Sequence, residues 1–140
     1  MEVEAKRKLL GKVKRELDEA IIIIEGKRDE RALRETGFAP NAKTVKCGGK
    51  NAEATARQAI ENKDEKQQIV VLTDFDEEGE RRASEITEAL NALGTTPNAA
   101  LRRNFRRLLG VSCVEDAPCA LTRLENALEN KKPFEKKEKR

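Results

Sequence analysis

The sequence predicts an α/β fold, a parallel and doubly wound sheet flanked by helices. Two apolar runs, AIIIIEG at 20–26 and QQIVVLTDFD at 67–76, are rich enough in β-branched residues to form strands buried on both faces. Amphipathic helical stretches alternate with these runs, the pattern of βα units. Both runs also end in acidic residues, at the strand ends where open α/β sheets gather their ligands.

The length, 140 residues, is that of one domain. Charged residues reach 39%, yet 29 basic side chains against 26 acidic ones leave a net charge of only +3. With charge balanced and apolar residues clustered, the expectation is a folded domain under a charged surface and not a disordered chain.

Residues 4–19 read as a helix whose apolar arc is Leu9, Leu10, Val13 and Leu17. The first strand follows, ending at Glu25-Gly26. KRDERALRETG continues as a short helix closed by Gly37. Ala42 to Lys46 is a brief second strand that runs into Cys47-Gly48-Gly49, and Asn51 caps a helix to about Asn62. The clearest strand, QQIVVLTDFD, precedes a long helix from about Glu78 to Leu93 with Ala83, Ile86, Leu90 and Leu93 as its stripe. Gly94 ends it. Thr95 to Ala100 reads as a weak fourth strand interrupted by Pro97. Leu101, Phe105, Leu108 and Leu109 then share one helix face, with Arg102, Arg103, Arg106 and Arg107 on the other. Ala117 to Asn130 is a final helix, and the lysine-rich tail 131–140 is expected to be disordered.

Charge is segregated. Segment 101–110 carries +4 and the tail another +4, so a total of +3 leaves −5 for the rest. The four arginines have no acidic neighbours at helical spacing and point to a polyanion.

Absences narrow the chemistry. The chain has no His, Tyr or Trp. Histidine triads and ligands, tyrosine attack on DNA, and stacking on indole or phenol are therefore excluded. Three Cys, at 47, 113 and 119, show no C-x-x-C spacing, which argues against a zinc site or a disulfide framework. Cys113 and Cys119 read as core thiols. The longest strongly apolar run, Ile21–Ile24, is far below membrane-spanning length, and MEVEAKRKLL holds no apolar signal core. A cytoplasmic protein with no membrane partner is expected.

What remains is carboxylate chemistry. The first strand delivers Glu25 to the sheet's carboxyl edge; the third delivers Asp74 and Asp76, which alternation along an extended chain puts on one side. Two carboxylates so placed, with a third from a neighbouring strand, make an all-oxygen site suited to Mg²⁺. Each carboxylate also has a plain structural alternative, because Asp-x-Asp after a strand is a common helix cap.

An apolar strand ending in EGKRD, followed some fifty residues later by one ending in TDFDEEGE, resembles the Toprim domain over roughly residues 18–100. The chain is most similar to small stand-alone Toprim proteins and to the endonuclease that matures 5S ribosomal RNA. The resemblance implies Glu25 as general acid or base and metal-contacting carboxylate, and Asp74 and Asp76 as catalytic Mg²⁺ ligands, with Mn²⁺ as a substitute. Asp29 would support the site, and Gly26 and Gly79 match the family's turn glycines. Phe75 stands where the ribonuclease relatives commonly carry Pro. The implied layout is an N-terminal helix (1–19), a Toprim-like domain (20–100), a basic and a C-terminal helix (101–130) and a tail (131–140).

The expected function is Mg²⁺-dependent phosphodiester chemistry on nucleic acid, RNA in preference to DNA, with a ribosomal component as a further partner. Lys27, Lys50, Arg102, Arg103, Arg106 and Arg107 are the candidate backbone contacts. The alternative is a non-catalytic Mg²⁺- and RNA-binding module. A phosphoaspartate phosphatase fits worse: DFDEE lies on a later strand and has Glu78 where such enzymes want Thr.

Overall fold

The computed structural model describes residues 1–35 and 37–130; the expected disorder of 131–140 lies outside them. The elements in chain order are α1 (Val3–Glu19), β1 (Ile21–Ile24), α2 (Lys27–Glu35), β2 (Lys43–Lys46), α3 (Ala52–Asn62), β3 (Ile69–Val71), α4 (Glu77–Ala92) and α5 (Ala99–Leu109). A 3₁₀ turn (Val114–Asp116) and α6 (Ala117–Asn130) follow. The three strands form a parallel sheet in the order β2-β1-β3.

Strand alternation sorts the core into two layers. Ile22, Ile24, Val70 and Leu72 face α1, α2, α5 and α6, meeting Leu10, Val13, Leu17, Leu33, Leu101 and Phe105. Ile21, Ile23, Val45, Ile69 and Val71 face α3 and α4, meeting Ala56, Ala59, Ile86 and Leu90. All four isoleucines of β1 are fully buried because the strand is central and covered on both sides. This is the doubly wound arrangement that the sequence predicts, with helices added before and after it.

Differences from the sequence reading are local. Residues 95–98 form a loop, not a fourth strand: Pro97 supplies no N–H, and Asn98 caps α5 by accepting from Leu101 N at 2.9 Å. The third strand is only three residues long, and the chain bends at Phe75-Asp76 before α4. Leu93 lies at the end of α4 and is exposed, outside the core stripe. Of the cysteines only Cys47 is buried; Cys113 is half-buried and Cys119 exposed, since α6 turns it away from Leu121 and Leu124.

Candidate carboxylate site

β1 ends at Ile24, and the next two residues turn into α2. Asp29, in the first turn of α2, folds back on this turn: its Oδ2 accepts from Glu25 N at 3.2 Å and from Gly26 N at 3.3 Å. Asp29 is buried, and its carboxyl is pushed up to about 6, first by burial and next by the charge of Asp74. Glu25 adds a smaller push, while the two N–H donors pull the other way.

The end of β3 meets the same place. Leu72 N donates to Ile23 O at 2.7 Å, the last ladder contact. Two residues later Asp74 N donates to Glu25 Oε2 at 3.2 Å, joining the two strand ends through the catalytic candidates themselves. Asp74 Oδ1 accepts from Val114 N at 3.0 Å, so the 3₁₀ turn covers one side of that carboxylate. The loop before it is tied down as well, with Phe75 N donating to Ser112 O at 2.7 Å.

Asp76 is placed differently. It is exposed and caps α4, its Oδ1 accepting from Gly79 N at 2.8 Å. Asp76 thus serves as the cap of α4, while the charges of both Asp74 and Asp76 reach the Cys113 thiol and, after burial, push it up. Asp74 and Glu25 are the charges felt by Asp29.

Among the described residues none of these four carboxylates forms an ion pair, and each uses only one oxygen in hydrogen bonds. No three carboxylates or thiols among the described residues are spaced to enclose an ion on their own. An all-oxygen donor set of this kind fits Mg²⁺, which takes one or two carboxylates and keeps waters that phosphate can replace. Glu25 and Asp74, whose strand ends meet, are the residues that could hold it.

Two glycines let the backbones close on the site. A Cβ at Gly79 would lie 2.0 Å from Asp74 O, and one at Gly48 would lie 2.6 Å from Glu25 O. Gly26 has nothing within 4 Å of that position. The loop of Gly48 is held to α4 by Arg82, which donates to Cys47 O and Lys50 O. Cys47 is buried here, and burial pushes its thiol up. Gly48 was legible as a glycine at a strand end where the backbone makes a close approach, whereas nothing in the sequence pointed to Arg82.

The basic candidates divide. Lys27 is exposed at the start of α2. Lys50 donates to Gln58 Oε1. Arg103, Arg106 and Arg107 line an open depression with Gly110, Val111 and Ser112, the loop that holds Phe75. Arg103 and Arg107 are exposed and form no ion pair among the described residues, whereas Arg106 pairs with Glu80 at 3.2 Å. Arg102 departs from the expectation of a phosphate contact. Its side chain is 13% exposed and directed at backbone carbonyls, with burial pulling the guanidinium below its usual value and Glu80 opposing.

A model of the Toprim domain matches residues 20–108. A UPF0292 protein of Pyrococcus furiosus is 34% identical over 73 residues, 52% of this chain and 51% of that one. The chain thus spans about half the length of this curated relative. A solved structure of a protein from Aquifex aeolicus has the same fold with a TM-score of 0.60, covering 79% of this chain and 95% of its own at 24% identity. No described helix is long and apolar enough to cross a membrane.

Proposed function

Because the chain belongs to the Toprim family, we propose that it carries out Mg²⁺-dependent phosphodiester cleavage in nucleic acid, with folded RNA as the substrate. The observation that carries this reading is the contact of Asp74 N with Glu25 Oε2 across two strand ends, in a carboxylate group that forms no ion pair among the described residues. A bound Mg²⁺ supplies a positive centre for the scissile phosphate and offsets the charge that develops on it.

The side chains divide the remaining tasks. Asp74 keeps Oδ2 for the metal while Val114 N fixes its other oxygen. Glu25 keeps Oε1 for proton transfer, with its direction set by Asp74 N. Asp76, with one oxygen left after capping α4, would add a further carboxylate for such an ion. Asp29 holds the Glu25–Gly26 turn in place. Lys27, Lys50, Arg103, Arg106 and Arg107 attract the flanking phosphates. RNA and a ribosomal setting rest on the similarity of EGKRD and TDFDEEGE to the ribosomal RNA maturation endonuclease; in this chain no base-stacking aromatic is exposed among the described residues.

The test is cleavage of end-labelled structured RNA, single-stranded RNA and duplex DNA with Mg²⁺, with Mn²⁺ and with chelator. Metal-dependent cleavage lost in Asp74→Ala/Asp76→Ala is expected. Salt-sensitive binding without cleavage, unaltered in that variant, would replace the nuclease by a non-catalytic RNA-binding module. The lack of a self-sufficient three-carboxylate cage among the described residues is what favours that second reading.

A further inference from the structure

β3 lies at the edge of the sheet, with β1 on one side only. Carbonyls along a strand alternate between its two edges, so Ile69, Val71 and Thr73 all present theirs to the open side. Buried carbonyls there require donors. Ile69 O receives Asn98 N at 2.8 Å. Val71 O and Thr73 O both receive Nη1 of Arg102, at 3.0 and 2.9 Å. Nη2 of the same guanidinium goes on to Asp74 O at 3.1 Å and to Glu80 Oε1 at 3.2 Å. The guanidinium also stacks over Phe75, 4.5 Å from the ring centroid. One side chain therefore takes the place of a fourth strand and reaches past the sheet to the backbone of the acidic site.

We infer that Arg102 is a positioning residue for Asp74, acting through the backbone of residues 71–74 and the ring of Phe75, and not a phosphate contact. The inference rests on the proposed role of Asp74 as a metal ligand. Asp74 is gripped at its N–H by Glu25, at its carbonyl by Arg102 and at its side chain by Val114 N. Loss of the carbonyl grip frees the residue to rotate away from the other two partners. The planar fork matters, because lysine has a point charge that cannot span three carbonyls and cover a ring together.

The test compares Arg102→Lys with the unaltered protein by amide hydrogen exchange, without metal or substrate, and by Mn²⁺ binding followed by electron paramagnetic resonance. Exchange at Asp74 and Val114 should quicken about tenfold, with Leu72, bonded to Ile23 O within the ladder, unaffected. Mn²⁺ affinity should fall by about tenfold or more, the usual effect of removing a residue that orients a metal ligand. If cleavage is measured, kcat should fall with little change in KM.

Unaltered protection at Asp74 and Val114, or equal loosening of Leu72, would overturn the inference, the second result meaning that Arg102 only seals the sheet edge. If Arg102→Lys does not fold, Glu80→Gln serves instead. It removes one anchor of the guanidinium and should give the same exchange pattern at smaller size, and no change at Asp74 would overturn the inference. The exchange pattern with no Mn²⁺ binding or cleavage by the unaltered protein would sink the nuclease reading and leave the positioning role standing.

Discussion

Gly79→Ala is the substitution on which the geometry of the acidic turn makes its sharpest demand. A Cβ there would sit 2.0, 2.4 and 2.9 Å from the O, C and Cα of Asp74. All three are backbone atoms, so no rotamer change relieves the overlap. Ordinary contact begins at 3.4 Å, and α4 would have to retreat by roughly 1.4 Å at its first turn. That movement strains two hydrogen bonds of Gly79, from its N to Asp76 Oδ1 at 2.8 Å and from Thr73 Oγ1 to its O at 2.7 Å. Overpacking costs about 1–3 kcal/mol and each hydrogen bond about 1 kcal/mol, against a gain of about 1 kcal/mol from the better helix propensity of alanine. The net loss is about 2–4 kcal/mol, a fall of roughly 10 °C in Tm for a domain of this size. Gly26→Ala is the control: with open space around its Cβ position it should change stability by no more than about 0.5 kcal/mol. Thermal and urea denaturation of both variants measure this. A Gly79→Ala protein as stable as the unaltered one would refute the close approach of α4 to Asp74.

Two further outcomes follow from the same residues. Asp29 binds its proton more tightly folded, at about 6, than at its ordinary value of 3.8. Its protonation therefore stabilises the fold fully below about pH 4, and this contribution, on the order of 3 kcal/mol, is lost as pH rises through about 6. Asp29→Asn should gain stability relative to the unaltered chain between pH 4 and 7, and parallel pH profiles in denaturant would count against the burial of that carboxylate. Arg103→Ala/Arg107→Ala should weaken RNA binding evenly across sequences and lower the slope of log K against log salt by about 2. A slope that stays put in filter binding removes α5 from the interface.

The sequence made the sheet legible because its strands are written locally. Ile21–Ile24 and Ile69–Val71 are apolar at every position, which only burial on both faces explains. The caps were legible for the same reason: Asn51 does accept from Ala54 N, three residues on. Glu25 and Asp74 could be placed together because each follows a strand directly, and parallel pairing then leaves little freedom. The bend at Phe75-Asp76 was not legible in this way. Whether the third strand continued through Phe75 depended on β1 ending at Ile24 and on Ser112 binding Phe75 N, a contact some forty residues away that no periodicity encodes.

The same distinction explains the arginines. Helical spacing correctly separates Arg102, Arg103, Arg106 and Arg107 from the buried Leu101, Phe105, Leu108 and Leu109. It says nothing of what lies against the polar face, and that depends on the missing fourth strand. Pro97 and Asn98 stop the chain from extending beside β3, which leaves two carbonyls of β3 without a strand partner and draws the first arginine of α5 onto them. Arg103 and Arg107, on a part of the helix that faces solvent, form no ion pair among the described residues. One motif of four similar residues is therefore divided: Arg102 closes the sheet edge beside Asp74, and Arg103 and Arg107 stay exposed beside the loop of Gly110, Val111 and Ser112.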